Sequence, residues 1–336
     1  MQSEDRRFLL MGAGLVGMGL AGVAAAGSLN PPPGPVTPTG KTLTDIEPRT
    51  AVQSLAGDAT ASFVISQPGS YYLTGNIVGA SPKDGIRITA SDVTIDLCGF
   101  AITGSGSGSG FGVNQSSGVR ARIVNGFVSS FGSGAIRVGT TSVVSDVVAS
   151  SGGIGISAGD QSRVERCTVQ LAATGIQVLT DSTVAGCRVD SATTAGITAG
   201  GGSRVSQCEV NGGTSGIQLT GSAAGSPSVV RDCLVRGATT NGIDVSPPGS
   251  VVEGCTVNGA PNAIRIIGDR SRVALNHIVQ CATGIFVSNG FVSLVVQNTI
   301  HGATTSPISA PTAQVGPIVS GTTFPVPTNP WSNFTG

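Results

Sequence analysis

Few side chains in this 336-residue chain could do chemistry, and four acidic residues form its best candidate cluster. These are Asp160, Asp181, Asp190 and Glu165. Two carboxylates that meet across a glycosidic bond can hydrolyse it, and carboxylates that hold a cation beside a base can act on a uronate. We predict that Asp160 and Asp181 approach each other at a turn, with the other two on different registers. A solvated turn is the competing interpretation.

The seven cysteines recur at regular spacing, which predicts a structural role. One register read through the chain gives an inner ladder of small side chains: Cys98, Asn125, Asp146, Cys167, Cys187, Cys208, Cys233, Cys255, Asn276 and Asn298. Stacked asparagines can share amide hydrogen bonds, and a thiol fills the same space as a small hydrophobe. We therefore expect buried, reduced thiols, and a buried, hydrogen-bonded or protonated carboxyl at Asp146. Cys281 lies outside this register.

A metal site or cofactor is not predicted. In-line thiols do not converge on one point as the ligands of a metal ion must, and stacked side chains are poorly oriented for disulfides. The two histidines, His277 and His301, fall on different registers and support neither a zinc site nor a Ser-His-Asp arrangement.

A repeat of about 21 residues organises most of the chain. Its marker is a Gly-Ile-x-Val pattern whose isoleucines are Ile176, Ile197, Ile217, Ile243, Ile264 and Ile285. A second block, Ser-x-Val followed by Cys or Asn and another Val, recurs at the same period. Short strands whose alternate side chains point inward can enclose an apolar interior only if the chain winds round an axis. The sequence predicts an all-β, single-stranded, right-handed parallel β-helix of about ten coils.

The same register places opposite charges side by side on adjacent coils. The three predicted pairs are Arg188 with Glu209, Arg231 with Glu253, and Asp244 with Arg265. Such pairs contribute about 0.2–1 kcal/mol each, and we interpret them as contacts that fix the register of adjacent coils. Outward aromatic rings, which would bind a glycan, are expected at Phe131, Phe286 and Phe291.

Composition excludes several function classes. With 18 basic and 18 acidic residues and no block of one sign, the chain has no electrostatic footprint for nucleic acid or an anionic membrane. Only 4% of residues are aromatic while 51 are glycine, which disfavours an ordinary globular core.

The ends of the chain differ from the repeat. Residues 1–26, with Arg6 and Arg7 before an apolar run, resemble a Tat signal peptide, with a Sec signal as the alternative. We predict a Pro-rich linker over 27–41, an N-terminal cap over 42–80, the β-helix over 81–310 and a C-terminal tail over 311–336. No later segment is apolar enough to span a bilayer, so an exported product is expected, periplasmic, on the cell surface or extracellular.

Four stretches carry a family resemblance: KTLTDIEPRTAV, ISQPGSYYLTGNI, GIRITASDVTIDLCGF and NPWSNF. They resemble the exported right-handed parallel β-helix repeat proteins of planctomycete type, in the pectin-lyase-like superfamily. That group usually has Asn where this chain has Cys98. The resemblance implies the fold, but a function can be inferred only from the residues of a site. We interpret the protein as a structural or cell-surface element with weak polysaccharide contact. A polysaccharide lyase, hydrolase or epimerase is the alternative.

Overall fold

A computed structural model describes residues 48–106, 108, 110–221, 226–321 and 329–336. The predicted signal peptide and linker lie outside these residues. Every strand pair in the described chain is parallel, as the repeat predicted. The strands form a right-handed β-helix with three sheets along its sides, and it has about twelve coils where the sequence suggested about ten.

Each sheet takes one strand, or part of one, from successive coils. Sheet 1 carries the Gly-Ile-x-Val pattern and consists of Ala61–Ile65, Asp84–Ile88, Phe111–Gln115, Gly134–Val138, Ile154–Ala158, Thr174–Val178, Ala195–Ala199, Ser215–Leu219, Asn241–Val245, Asn262–Ile266 and the second parts of His277–Val287 and Thr299–Ser309. Sheet 2 follows the first corner and consists of Thr50–Ala51, Gly69–Tyr72, Val93–Asp96, the first parts of Ala121–Ser129 and Val143–Ser150, then Arg163–Glu165, Thr183–Ala185, Arg204–Ser206, Val229–Arg231, Val251–Glu253, Arg272–Ala274, Leu294–Val296 and Gln314–Val315. Sheet 3 completes each coil with Ile77–Val78, Ala101–Thr103, the second parts of Ala121–Ser129 and Val143–Ser150, Thr168–Gln170, Arg188–Ala192, Glu209–Gly212, Leu234–Arg236, Thr256–Asn258, the first parts of His277–Val287 and Thr299–Ser309, Ile318–Ser320 and Asn333–Thr335. A 3-10 turn, Val52–Ser54, precedes the first full coil.

The glycine of the repeat is required where sheets 1 and 3 meet inside a coil. A Cβ built on Gly155 would lie 2.2 Å from Val169 Cγ1 and 2.6 Å from the carbonyl oxygen of Gly175. One coil earlier, alanine occupies both equivalent positions, Ala135 and Ala149. In these two coils Gly lies opposite Val and Ala opposite Ala, which conserves volume, whereas a later coil places Ala263 opposite Ile278.

We expect Gly155→Ala to destabilise the protein by about 1–3 kcal/mol, because the added methyl overpacks against Val169. Combining it with Val169→Ala should cost at least about 1 kcal/mol less than the two single changes added together. Denaturant unfolding of the four proteins in this cycle measures the coupling. Gly152→Ala is the control, since a Cβ on Gly152 would meet nothing within 4 Å. Additive effects would contradict the volume argument.

Each of the three corners bends through a residue in the left-handed backbone region. In one coil these are Gln161, Arg166 and Leu171, with φ of 56°, 52° and 54°. This conformation costs a non-glycine residue roughly 1–2 kcal/mol. The cost recurs from coil to coil, so the stacked strands must stabilise the corners.

The inner ladder runs through a shorter set of residues than expected. Cys167, Cys187, Cys208, Cys233, Cys255, Asn276 and Asn298 are at most 2% exposed. Asn125 and Asp146 are instead exposed corner residues with φ of 62° and 58°, at the position of Arg166 in the next coil. The buried position belongs to Gly126 and Val147.

The first member of the expected ladder, Cys98, also lies outside it. Its φ is 51° and it is only half-buried. The reason lies in the early coils, where two extra residues separate Asp96 from Ala101 relative to the next coil, and this shifts the register. Asp146, expected to be buried, is an ion-paired surface residue: its Oδ1 lies 2.8 Å from Arg166 Nε.

A second buried column was not predicted. The serine that opens each Ser-x-Val block points inward: Ser142, Ser162, Ser182, Ser203, Ser228, Ser250, Ser271 and Ser293 are at most 3% exposed. Six of their hydroxyls, in the described chain, accept a hydrogen bond of 3.0–3.2 Å from a backbone N–H of the preceding coil. This column satisfies backbone donors where the chain bends.

Both end segments take part in the coils. Residues expected to cap the N-terminal end contribute Ala61–Ile65 and Gly69–Tyr72, which pair with the second coil. At the other end Asn333–Thr335 lies between Thr299–Ser309 and Ile318–Ser320. In this C-terminal segment Trp331 is 53% exposed, whereas Asn333 is fully buried. The C-terminal tail is therefore held in the β-helix by the buried amide of Asn333 and not by the indole of Trp331.

Candidate functional site

The outward face of sheet 1 carries an unbroken row of hydrogen-bonding side chains. The polar row occupies the position after the central Ile in consecutive coils, and its members in register are Arg137, Ser157, Gln177, Thr198, Gln218, Asp244 and Arg265. Phe286 follows in the next coil and is half-buried. The four uncharged members are half-buried, so their polar ends remain accessible.

Asp244 is the buried carboxylate of this row. Its side chain is 7% exposed, and Arg265 Nη1 lies 3.1 Å from Oδ1 and 3.2 Å from Oδ2. Asn241 donates to Asp244 Oδ2 at 3.4 Å, and Asn262 donates to Asn241 Oδ1 at 3.1 Å. Burial raises the pKa of Asp244, and the Arg265 guanidinium opposes that rise. This buried acid in a polar network is a functional-site candidate.

A second polar cluster lies on the same face near the N-terminal end. Asp84 Oδ1 accepts from the backbone N–H of Phe111 at 2.7 Å, and Oδ2 accepts from Asn114 Nδ2 at 2.8 Å. Arg87 donates to Asp58 and Thr60. Among the described residues, Arg87 Nε and Asn114 Oδ1 are buried without a hydrogen-bond partner. A donor and an acceptor on adjacent coils are suited to a hydroxyl group, which both accepts and donates.

These two clusters are too far apart to act on one bond. Asp84 and Asp244 lie seven coils apart in sheet 1, which is about 34 Å at 4.8 Å per coil. Retaining and inverting hydrolysis both need carboxylates within about 10 Å.

The structure places Asp160 and Asp181 at the same corner of adjacent coils. Asp160 Oδ1 accepts from Thr180 N at 2.9 Å and from Thr180 Oγ1 at 2.6 Å, and these hydrogen bonds hold the pKa of Asp160 below its usual value. Asp181 is in register with Gln161 and shares its left-handed corner conformation, with φ of 54° and 56°. The two acids are therefore one register position apart and have separate roles in the turn.

The other two predicted acids lie on different sheets. Glu165, on sheet 2, lies 3.2 Å from Arg163 and 3.4 Å from Arg166. Asp190, on sheet 3, lies 2.7 Å from Arg188. All four acids are thus held at turns or in ion pairs, and sequence reasoning missed the position that is buried, Asp244.

The three predicted charge pairs are confirmed. The separations are 2.9 Å for Arg188–Glu209, 2.9 Å for Arg231–Glu253 and 3.1 Å for Asp244–Arg265. The first two are solvent-exposed and contribute little, whereas the third is largely buried. Of the aromatic rings expected outside, Phe131 is 4% exposed and belongs to the core. The expected position of Phe131 was wrong because it packs against glycines of neighbouring coils, Gly79 and Gly104.

A family comparison matches residues 135–314, more than half of the chain, to the family described as periplasmic copper-binding protein (NosD). The chain belongs to the NosD family. No significant match was found among curated proteins. No helix in the described residues is long and apolar enough to cross a membrane.

Solved structures similar to this NosD-family chain are β-helices. The tailspike of E. coli bacteriophage HK620, in complex with a pentasaccharide, superposes with a TM-score of 0.56 at 13% identity, over 87% of this chain and 67% of the tailspike. The Azotobacter vinelandii mannuronan C-5 epimerase AlgE6 A-module gives 0.54 at 15% identity, over 85% and 87%. The Dettilon tailspike gives 0.47 at 14% identity, and this chain covers 60% of it. The likenesses to the HK620 tailspike and to the AlgE6 A-module establish the fold.

The copper in the family description can be compared with the donor atoms of this chain. Among the described residues no group of three or more His, Cys, Asp and Glu side chains is placed to hold a metal ion. The ladder thiols lie in line in the core, and Cys208 Sγ donates to the Ser206 carbonyl at 3.2 Å. His277 and His301 are in edge-to-face ring contact, with 6.0 Å between their centroids. These residues do not fit a copper centre, which needs convergent ligands.

Proposed function

We propose that this NosD-family chain is an exported β-helix rod that binds polysaccharide along the polar row of sheet 1. The observation that carries the proposal is the run Ser157, Gln177, Thr198 and Gln218, which places an uncharged hydrogen-bonding side chain on four consecutive coils. Coils repeat about every 4.8 Å, close to the length of one sugar residue in an extended chain. A glycan lying along the rod can then repeat its contacts from coil to coil.

The flanking clusters extend this surface. The Asp244, Arg265 and Asn262 group offers buried donors and acceptors downstream of the row. Asn114 and Arg87 continue the register of the row on the two coils upstream of Arg137. Fold likeness to a tailspike in complex with a pentasaccharide and to a mannuronan epimerase supports a glycan as the ligand by analogy. Many weak contacts along the rod would act together through avidity.

We expect Gln177→Ala to weaken binding of a long oligosaccharide roughly 2- to 10-fold, the worth of one net hydrogen bond. Gln170→Ala is the matched control, since Gln170 lies on sheet 3 in the preceding coil and is exposed. Affinity electrophoresis or calorimetry of the full exported chain against neutral and acidic oligosaccharides of graded length would measure the effect. No binding to any member of the panel, or equal losses in both variants, would refute the proposal.

A polysaccharide-active enzyme is the second candidate, and the raised pKa of Asp244 is the observation that favours it. A single acid beside Arg265 could exchange a proton with a bound uronate. Turnover of an acidic polysaccharide that disappears in Asp244→Asn, with binding intact, would establish this reading. Turnover that survives in Asp244→Asn would exclude Asp244 as the acid or base.

A further inference from the structure

Arg137, which follows Asn114 in the register of the polar row, lies in a groove at the corner between sheets 1 and 2. The groove has a volume of about 420 Å³. It exists because Gly139 and Gly159 occupy one register position in consecutive coils, and the next coil places Leu179 there. Leu179 is 47% exposed and forms the downstream wall.

Arg137 is a cation without an anionic partner in the described chain. Its guanidinium lies 5.8 Å from the ring centroid of Phe111, which holds it through a cation–π contact. The Phe111 ring in turn lies over Gly134, where a Cβ would be 2.8 Å from Phe111 Cε1. A guanidinium positioned by stacking keeps its N–H groups available for a planar oxyanion.

The neighbouring charges are already engaged. Asp92 and Arg120, at the corner upstream, form an ion pair at 2.6 Å. Asp160 follows Gly159, but its Oδ1 accepts two hydrogen bonds from Thr180. The hydroxyl of Ser157 lies beside Arg137 in register. The groove therefore combines one available cation, a hydroxyl and one apolar wall.

We infer that the glycan bound along sheet 1 is acidic, and that Arg137 binds the carboxylate of a uronic acid residue. This inference rests on the proposed function, and it adds the ligand class and the residue that selects it. The carboxylate would take a bidentate hydrogen-bonded pair with the guanidinium. Ser157 would bind a ring hydroxyl, and the apolar face of the sugar would lie against Leu179.

The test compares an oligouronate with the same oligosaccharide after reduction of its carboxyl groups to alcohols. The full exported chain is expected to bind the oligouronate at least tenfold more tightly than the reduced form. Arg137→Gln should lower oligouronate affinity roughly 10- to 100-fold, the worth of a charged hydrogen-bonded contact, and should lower affinity for the reduced form by roughly 2- to 10-fold at most, the worth of one neutral hydrogen bond. Arg204→Gln is the matched control, since Arg204 is exposed on sheet 2, away from the groove.

Asp160→Asn is a second test variant, for which the expected change in oligouronate affinity is an increase. It removes a negative charge next to the groove, so oligouronate affinity should rise, with little change for the reduced ligand. If both ligands bind equally and Arg137→Gln changes neither, the inference is overturned while the proposed function stands. If neither ligand binds, and no neutral oligosaccharide binds either, both the inference and the proposed function are refuted. Equal losses in Arg137→Gln and Arg204→Gln would point to non-specific charge attraction and also overturn the inference.

Discussion

Replacing Asn298 by alanine is expected to destabilise the C-terminal coils by about 3 kcal/mol or more, because several buried groups lose their partners at once. Asn298 Nδ2 donates to the carbonyls of Val296 and Val273 at 2.9 and 3.0 Å and to Asn333 Oδ1 at 3.0 Å. Its Oδ1 accepts from Asn276 N at 3.1 Å and from Asn276 Nδ2 at 2.9 Å. Alanine removes all five hydrogen bonds, although Asn276 Nδ2 still donates to Val252 O and Asn333 Oδ1 still accepts from Asn298 N.

Asn298→Cys separates the space-filling role from hydrogen bonding. Five coils already place a thiol in this column, where Cys187 Sγ donates to the carbonyl two residues earlier at 3.4 Å. The cysteine variant should therefore lose about half as much stability as the alanine variant, because it keeps one weak donor. Asn258→Ala, on the outward side of sheet 3, should change stability by less than about 0.5 kcal/mol.

Hydrogen exchange would locate the loss. The amides of Phe334 and Gly336 donate to the carbonyls of Asn298 and Ile300 at 2.8 and 3.1 Å. Both should exchange faster in Asn298→Ala, while amides near Ile136 should change little, since a coil contacts only its neighbours. Uniform faster exchange along the rod, or no change at Phe334, would contradict this role for the amide.

Repetition made the fold predictable. Six isoleucines at near-constant spacing fix three sheets and their register, and the three charge pairs could be placed from that register alone. The prediction of the ladder failed where the repeat is irregular. Between Asp96 and Ala101 the chain contains extra residues, which shift the register. In the two coils before Cys167 the buried position is occupied by Val147 and Gly126, and neither residue type marks that position as part of a ladder of polar or thiol side chains.

The candidate site was harder to find because it depends on neighbours rather than motifs. Gln177 and Thr198 are unremarkable in sequence, and they form a row only when coils stack. The pairing of Asp244 with Arg265 was predicted, but as an ordinary surface ion pair. Its burial depends on the neighbouring Gln218 and Asn241 in three dimensions. The buried serine column could not be predicted from the residue type either, because the inward orientation of Ser162 depends on the left-handed corner at Gln161.

Replacing Arg265 by alanine is expected to cost about 3 kcal/mol at pH 7, because it leaves the buried carboxylate of Asp244 without its partner. Arg231→Ala, which breaks the exposed pair with Glu253, should cost less than about 1 kcal/mol. Asp244→Asn introduced into the Arg265→Ala background should recover most of the loss, since an amide carries no charge to bury. A double variant no more stable than Arg265→Ala would show that the loss comes from packing of the arginine stem.

The loss in Arg265→Ala should also depend on pH in a defined direction. Burial raises the pKa of Asp244 above its ordinary value of 3.8, so the folded chain holds this proton more tightly than the unfolded chain. The contribution of Asp244 to stability is therefore fully present below 3.8 and declines as pH rises through the folded pKa. Removing the opposing Arg265 charge raises that pKa further and deepens the decline. Denaturant unfolding of both proteins between about pH 4 and 8 should show the gap widening with pH. A gap that stays constant would mean that Arg265 does not stabilise the ionised carboxylate. A gap that widens identifies Asp244 as a carboxylate kept charged by one neighbour, and predicts that an uncharged ligand displacing Arg265 would take up a proton on binding.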